Sequence, residues 1–176
     1  MSRKLIVYIA SSLDGYIATK NDDLSFLSMV ETPGEDYGYS EFIKTIDTVI
    51  IGKRTYDKVL SMGFDFPHAH QETYVITRTE KPAIGNVNFY TLNLSELVNN
   101  LKAKKGKNIF CDGGAQIIHQ LLQHKLIDEF IISIIPTLLG DGIRLFSEGF
   151  NQQDLLLISS KSFDSGLVQL HYKLLK

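Results

Sequence analysis

Residues 49–55 read Val-Ile-Ile-Gly-Lys-Arg-Thr, an apolar run that ends in a glycine followed by two cations and a hydroxyl. A glycine at the end of a strand lets the backbone approach a ligand closely, because it has no Cβ. The helix predicted to follow supplies unpaired N–H groups and a partial positive charge. Gly52, Lys53, Arg54 and Thr55 therefore suit a phosphate, although a tight turn with solvated basic residues fits the same pattern.

A second junction of this kind lies at residues 109–115, Ile-Phe-Cys-Asp-Gly-Gly-Ala. Gly113 and Gly114 precede a helix predicted to begin at Ala115, so they offer another anion site, with a close-packed turn as the alternative. Two such turns favour a dinucleotide, since its pyrophosphate needs donors from more than one side. Neither turn matches GxGxxG or GxxxxGK[ST], which disfavours a Rossmann dehydrogenase and a P-loop NTPase.

Strand-like and helix-like segments alternate around these turns. Apolar runs predict strands over residues 5–10, 48–51, 73–77, 86–90, 108–111 and 130–135. Helical spacing predicts helices over 41–46, 55–60, 95–104 (with Ser95 as N-cap) and 115–123, and residues 20–38 are expected to form a long loop. Residues 155–163 and 167–175 indicate a β-hairpin. The order predicts an α/β fold with a mainly parallel sheet and an antiparallel C-terminal hairpin.

The composition is that of an ordinary globular protein. The chain has 176 residues, within the range of one domain, and its net charge of -2 gives no basic field for nucleic acid or an anionic membrane. The single cysteine, Cys111, favours a reducing compartment and is expected to be a buried core residue. No stretch approaches the ~18 apolar residues of a membrane span, so we expect a cytoplasmic protein. The CxxC and HExxH patterns of zinc sites are absent, and we expect no metal.

Several of these segments together carry a family resemblance. They are residues 12–18 (Ser-Leu-Asp-Gly-Tyr-Ile-Ala), 52–56 (Gly-Lys-Arg-Thr-Tyr), the Gly113-Gly114 turn, residues 127–136 and residues 139–142 (Leu-Gly-Asp-Gly). The chain resembles the dihydrofolate reductase superfamily, most closely the reductase domain of riboflavin biosynthesis and its stand-alone relatives. The resemblance implies one dihydrofolate-reductase-like domain of three layers over residues 1–176.

The resemblance also implies NADPH as the cofactor, lying across the strand ends. By position, the implied contacts are Ala10 and Ile17 at the nicotinamide carboxamide, residues 52–55 and the Gly113-Gly114-Ala115 turn at the pyrophosphate, and Thr77 and Arg78 near the adenosine 2′-phosphate. Lys53 stands where the family usually has arginine, and Gln116 where dihydrofolate reductases have one. The preference for NADPH over NADH therefore stays open.

Candidate residues for the reaction come from the same resemblance. Asp36, and after it Glu41, are nearest to the place of the acid that precedes the first long helix, with solvated loop acids as the alternative. Ser133 resembles a hydroxyl that faces the substrate, with a satisfied core serine as the alternative. Tyr39 is a further candidate, as is Asp14, for which turn stabilisation is the alternative. The chain contains no tryptophan, which disfavours dihydrofolate itself as the substrate.

We therefore expect an NADPH-dependent reductase that passes hydride to a small cyclic, pterin-like or pyrimidine-like substrate. We expect it to be a homodimer, because the C-terminal hairpin is apolar enough to cover an interface as well as a core. The alternative is a non-catalytic dimeric nucleotide-binding protein that kept the cofactor turns and lost the substrate site. A purely structural protein would bind no cofactor.

Overall fold

The computed structural model describes residues 3–63 and 65–175. In chain order these residues form β1 (Leu5–Ser12), β2 (Tyr16–Ala18), a 3-10 helix (Ser25–Val30), α1 (Tyr39–Lys44), β3 (Ile46–Gly52), α2 (Lys53–Ser61), β4 (Glu72–Ile76), β5 (Val87–Tyr90), α3 (Leu94–Ala103), β6 (Asn108–Gly113), α4 (Ala115–Gln123), β7 (Glu129–Ile135), β8 (Ile143–Arg144), β9 (Leu155–Ser162) and β10 (Val168–Leu174).

Eight of these strands form the central sheet, in the order β5-β4-β3-β6-β1-β7-β10-β9. Neighbouring strands from β5 to β7 are parallel, whereas β10 is antiparallel to both β7 and β9. β2 and β8 form a separate two-stranded sheet. The predicted mainly parallel sheet with an antiparallel C-terminal hairpin is confirmed. Among the described residues, no helix is long and apolar enough to span a membrane.

Helices cover both faces of this sheet because its central strands are apolar on both sides. In β3, Ile50 packs into the cluster formed with α3 and α4. Its neighbours Val49 and Ile51 point to the other face, where Val49 packs with Phe42 of α1 and Ile51 with Tyr56 of α2. The result is the predicted three-layer architecture, with α1 and α2 on one face and α3 and α4 on the other.

Three helices begin earlier in the chain than predicted. One of them is α2, which starts at Lys53 rather than at residue 55, so Lys53 and Arg54 belong to its first turn. α1 begins at Tyr39 rather than at residue 41, since Gly38 adopts φ +85° before it. The predicted end of that helix, Ile46, is instead the first residue of β3. Asn93, not Ser95, is the N-cap of α3, and its Oδ1 accepts the backbone N–H of Ser95 at 2.8 Å.

The segment predicted as a loop, residues 20–38, contains the 3-10 helix in its middle. Phe26 and Val30 of that helix are buried against Ile135 at the end of β7 and Leu167 before β10. The segment is therefore packed onto the sheet near the hairpin turn, and this packing fixes the chain that leads into α1.

At the amino ends of the parallel strands, a buried arginine joins parts of the sheet to α3. Arg3 donates from Nε to the Lys107 carbonyl oxygen at 2.6 Å, from Nη1 to the Leu101 carbonyl oxygen at 3.1 Å, and from Nη2 to Thr48 Oγ1 at 2.6 Å. Its guanidinium also forms an ion pair with Asp47. The start of β1 is thereby tied to β3, to α3 and to the turn before β6.

We expect Arg3→Met to lower the free energy of unfolding. The substitution removes the donor to two backbone carbonyl groups and the cation that pairs with the partly exposed Asp47, so the loss should be roughly 2–4 kcal/mol. Chemical denaturation measures it. Lys105→Met, at an exposed position close by, is the control and should change stability by less than about 0.5 kcal/mol. Equal effects of the two substitutions would contradict a structural role for the network.

Candidate functional site

The two glycine turns predicted from the sequence touch each other in the structure. β3 and β6 are adjacent and parallel, so their carboxyl ends lie side by side. A Cβ placed on Gly52 would lie 3.1 Å from Ile117 Cγ1 and 3.4 Å from the Gly114 nitrogen. A Cβ on Gly114 would lie 2.9 Å from Thr55 Oγ1. The turns can meet this closely only because neither glycine carries a side chain.

Both helices that begin at these turns have free N-termini. Gly52 precedes α2 and Gly114 precedes α4, and neither helix has a side-chain hydrogen bond capping its first turn. Unpaired backbone N–H groups of two helices therefore face one small region, which is an arrangement that favours an anion. The Gly113–Gly114 peptide bond between them is cis, and Gly113 has φ +96°.

The cations of the first turn are held by carboxylates. Arg54 donates from Nε to Asp22 Oδ2 at 3.0 Å, and this pair is exposed. Lys53 pairs with Asp57 one turn along α2. Exposed ion pairs of this kind are weak, so both cations can exchange their carboxylate partner for a phosphate.

Thr77 and Arg78 directly follow β4, the strand beside β3, and so lie at the same edge of the sheet as the glycine turns. Arg78 is exposed, whereas Thr77 is half-buried and its Oγ1 accepts the Thr79 backbone N–H at 3.2 Å. Beyond the ends of β4 and β5 lies an open groove of about 530 Å³, lined by residues 80–82 and 89–92. Thr77 and Arg78 thus continue the row of predicted phosphate contacts, and this row ends near the open groove.

The residues predicted at the nicotinamide lie near the carboxyl end of β1. Ala10 is half-buried in β1 and pairs with Ser133 of β7, and Ile17 is half-buried in β2. β1 is the neighbour of β6 on the side away from β3. Apart from Ile17, which lies in β2, the predicted cofactor residues therefore lie along one edge of the central sheet, at the ends of β4, β3, β6 and β1.

A polar floor lies on the α1 face of β1, β7 and β10. Gln169 Nε2 donates to Tyr8 Oη at 3.0 Å and lies 3.2 Å from Ser133 Oγ. Tyr8 Oη donates to the Tyr37 carbonyl oxygen at 2.9 Å. Register explains the grouping, since Ala10 pairs with Ser133 and Ser133 with Gln169, which places these residues side by side on one face. We call Tyr8, Ser133 and Gln169 the polar floor.

Tyr8 and Gln169 were missed by the sequence analysis. The available signals were a hydroxyl inside the apolar run of β1 and a glutamine on the polar side of β10. Neither signal shows that Tyr8 or Gln169 lies next to Ser133, because that depends on the order of the strands in the sheet. Burial raises the pKa of the Tyr8 phenol, and the hydrogen bond from Gln169 offsets this only in part, so Tyr8 stays a hydroxyl donor.

An acid beside the second glycine turn was also missed. Asp112 is the residue before Gly113 and points to the same face of β6 as Phe110, which packs against Phe42 of α1. Its Oδ2 lies 3.0 Å from Nε2 of His68, a buried histidine of the loop before β4. Burial raises the pKa of the nearby Tyr39 phenol, and the Asp112 carboxylate adds to that rise. The available signal was an acid at the end of a strand next to a double glycine.

The acids predicted for the reaction lie at the start of α1 and are exposed. Asp36 accepts the backbone N–H of Gly38 and of Ser40, both at 2.9 Å, and its contacts with Ser40 and then Gly38 lower its pKa. An ionised cap of this kind is a poor proton donor. Glu41 forms an ion pair with Lys44 and faces solvent. The structure brings neither acid into the polar floor, whereas Ser133 is part of it.

Two other residues that were singled out from the sequence, Asp14 and Cys111, have contacts that support a structural role. Asp14 accepts hydrogen bonds from Ser12 Oγ at 2.6 Å and from the Gly140 backbone N–H at 2.7 Å, so it joins the turn after β1 to the loop after β7. Cys111 is fully buried, and burial raises the pKa of its thiol to about 12. The thiol is thus the core residue that was predicted.

Comparison with known structures identifies the class of fold. Dihydrofolate reductase from Enterococcus faecalis, solved with NADP(H) and RAB-propyl, superposes over 100% of both chains with a TM-score of 0.67 at 14% identity. The fold is therefore dihydrofolate-reductase-like. A putative riboflavin biosynthesis protein from Shewanella sp. PV-4 is similar over 100% of both chains, with a TM-score of 0.89 and 32% identity.

The family follows from the sequence comparisons. The chain belongs to the RibD C-terminal domain family, which it matches over residues 3–169. The uncharacterised protein YwjB of Bacillus subtilis (strain 168) is 40% identical over 173 residues, covering 98% of each chain. The resemblance to the riboflavin-biosynthesis branch of the dihydrofolate reductase superfamily is confirmed.

The contact between the turns predicts the effect of adding one methyl group. Gly114 has φ −74°, which alanine adopts readily, and the methyl group that Gly114→Ala adds meets Thr55 Oγ1. We expect it to lower the free energy of unfolding by roughly 1–3 kcal/mol. Thr55→Ala removes the opposing atom, so the double variant should be more stable than the sum of the two single effects predicts. Strict additivity in chemical denaturation would contradict the contact.

Proposed function

We propose that this protein is an NADPH-dependent reductase that transfers hydride to a small cyclic, pterin-like or pyrimidine-like substrate. The observation that carries the proposal is the meeting of two uncapped helix N-termini at paired glycine turns, beside a polar floor on the same sheet. The dihydrofolate-reductase-like relative that was solved with NADP(H) supports the choice of cofactor.

The cofactor would lie along the carboxyl edge of the strands. Residues 52–55 and 113–115 would hold its pyrophosphate through backbone N–H groups, with Arg54 released from Asp22 to pair with a phosphate oxygen. Thr77 and Arg78 would lie towards the adenosine end, and Ala10 and Ile17 would contact the nicotinamide. When bound, the reduced nicotinamide supplies the hydride, and the protein orients it against the substrate.

The substrate would lie on the polar floor beneath α1. Ser133, Tyr8 and Gln169 offer hydroxyl and amide groups to a ring with polar edges, and aromatic side chains of α1 border them. Asp112 is an acid on the same face of the sheet, next to the second cofactor turn. We therefore assign recognition of the ring to Asp112 and Ser133. Asp36 and Glu41 were predicted for the reaction. We assign them no part in it, because both lie at the start of α1.

Titration of the purified protein with NADPH, and in parallel with NADH, tests the cofactor proposal. Saturable binding followed by nicotinamide fluorescence is the expected result. Screening of pterins and pyrimidines for NADPH oxidation then separates the reductase from a nucleotide-binding protein without activity, which would bind the cofactor and never oxidise it. Absence of binding by either nucleotide would overturn the proposal.

Arg54 and Asp22 should affect NADPH affinity in opposite directions. Arg54→Ala removes a charge-assisted hydrogen bond to phosphate and should weaken binding by ~1–3 kcal/mol. Asp22→Asn removes the carboxylate that competes for Arg54 and should tighten binding, measured as the dissociation constant in the same titration. Arg78→Ala reports the separate contact at the adenosine end. An unchanged dissociation constant in Arg54→Ala would argue against residues 52–55 as the pyrophosphate loop.

We also propose that the protein is a homodimer formed through the C-terminal hairpin. β9 is one of the two outer strands of the sheet, and Leu155, Leu156, Leu157 and Ile158 are each 46–54% exposed. An apolar edge strand with an unpaired backbone edge favours association with a second copy. The second copy would then cover the side of the hairpin that faces away from β7.

Leu157→Glu should convert the dimer into a monomer, because it places a charge in the proposed interface. Sedimentation at micromolar protein concentration measures the change. Leu92→Glu, at a residue that is 72% exposed on the loop after β5, is the matched control and should leave the dimer intact. A wild-type protein that sediments only as a monomer would contradict the interface.

A further inference from the structure

Gln169 of β10 holds the polar floor together through one amide group. Its Nε2 lies 3.0 Å from Tyr8 Oη, 3.1 Å from the Tyr37 carbonyl oxygen and 3.2 Å from Ser133 Oγ. A backbone carbonyl oxygen can only accept hydrogen bonds, so the amide must present its nitrogen to Tyr37. The orientation of the Gln169 side chain is therefore decided by the backbone beside it.

The hydrogen atoms of this group can be assigned one by one. The amide nitrogen carries two hydrogens and does not accept hydrogen bonds. Tyr8 Oη donates its own hydrogen to the Tyr37 carbonyl oxygen at 2.9 Å. Ser133 Oγ can only accept from the amide nitrogen, so the contact between them leaves the hydroxyl hydrogen of Ser133 unused.

The polar floor itself supplies no acceptor for that hydrogen. Among residues 3–63 and 65–175, Gln169 Nε2 is the only hydrogen-bond partner of the Ser133 side chain. Ser133 is 5% exposed, and buried polar groups in native proteins are hydrogen-bonded. A donor of this kind favours a ligand atom that accepts, because an N–H group in the same place would leave two donors facing each other.

The register of the strands places this donor where the proposed substrate would lie. Ser133 is paired with Ala10 of β1, the residue assigned to the nicotinamide, and with Gln169 of β10. The ring of Tyr39 in α1 packs edge-on against the ring of Tyr8, with centroids 5.6 Å apart, so α1 borders the floor. A substrate ring that contacts both the nicotinamide and the floor would therefore meet the hydroxyl group of Ser133.

We propose that Gln169 is a positioning residue that, by donating to Ser133 Oγ, makes the Ser133 hydroxyl group a donor to a carbonyl oxygen of the substrate ring. This inference rests on the proposed reductase function and names the hydrogen-bonding polarity of its substrate. A fixed donor discriminates between rings of one shape, because a carbonyl oxygen accepts from it and an amino group in the same place does not.

The test compares lumazine, a pteridine ring with two carbonyl groups, with 2,4-diaminopteridine, which has amino groups in their place. Binding of each ring to the protein saturated with NADP⁺ is measured by calorimetry. Ser133→Ala should weaken lumazine binding by about tenfold, the value of one hydrogen bond, and leave diaminopteridine binding unchanged. Gln169→Glu should weaken lumazine binding to the same extent, because its carboxylate takes the Ser133 hydrogen for itself.

The double variant shows whether Gln169 acts through Ser133. Once Ser133→Ala has removed the hydroxyl group, Gln169→Glu should cause no further loss of lumazine affinity. Additive losses would mean that residue 169 acts on the ring directly, and they would overturn the positioning role. An unchanged affinity for lumazine in Ser133→Ala would overturn it as well.

Gln169→Met separates hydrogen bonding from packing. Methionine has a similar length but does not donate, so the Ser133 hydroxyl group is no longer held and is not redirected either. Lumazine affinity should fall by only about twofold to threefold, and this loss too should vanish in Ser133→Ala. A loss as large as that of Gln169→Glu would assign the effect to packing and overturn the inference.

Titration with NADPH checks that each variant is folded. If Gln169→Glu fails to bind NADPH, the cycle of Gln169→Met with Ser133→Ala decides by the same criterion. A wild type that binds NADPH and does not bind lumazine would overturn this inference alone. A wild type that does not bind NADPH would overturn the proposed function.

The amide of Gln169 gives a readout that needs no ring ligand. Nitrogen NMR, with the side-chain signals assigned from their absence in Gln169→Met, should show a change in these signals in Ser133→Ala and in Tyr8→Phe. Ser159→Ala, at an exposed position of β9, is the control and should leave them unchanged. Signals unaffected by Ser133→Ala would overturn the contact on which the positioning depends.

Discussion

The close approach of Gly52 and Gly114 is the constraint on which the rest of the site depends. Each turn fits only because the other has no side chain, and the contact brings together the starts of two helices that lie on opposite faces of the sheet. After β3 the chain moves outward to β4 through α2, and after β6 it moves the other way to β7 through α4. Adjacent parallel strands whose connections diverge in this way leave a crevice at their carboxyl ends, where ligands of α/β proteins bind.

The polar floor is held in place by the segment that precedes α1. Tyr37 adopts φ +57°, and its carbonyl oxygen accepts hydrogen bonds from Tyr8 and Gln169. Its ring packs edge-on against Phe163, and its hydroxyl lies 2.9 Å from Ser165 Oγ in the hairpin turn. One residue thereby connects the loop, the floor and the hairpin.

Much of the fold could be predicted from residue patterns because local rules decide it. The apolar run of β1, the glycine that ends β3 and the apolar stripe of α4 each place an element where the structure has it. Helix starts were less certain, since Asn93 and Ser95 are both good N-caps and only the backbone geometry selects Asn93. The acids at α1 were chosen by position along the chain, and the structure shows their oxygens used for a cap and a surface ion pair.

The sequence by itself determined the class of fold, the two glycine turns and the family, because strand patterns and glycine requirements are properties of short segments. Only the tertiary structure decided which side chains form the polar floor. Tyr8, Ser133 and Gln169 are far apart in the chain and meet through the register of β1, β7 and β10. His68 reaches Asp112 through a loop whose packing no local pattern specifies. Contacts between distant segments depend on strand order and burial, and these are set by the packing of the whole chain.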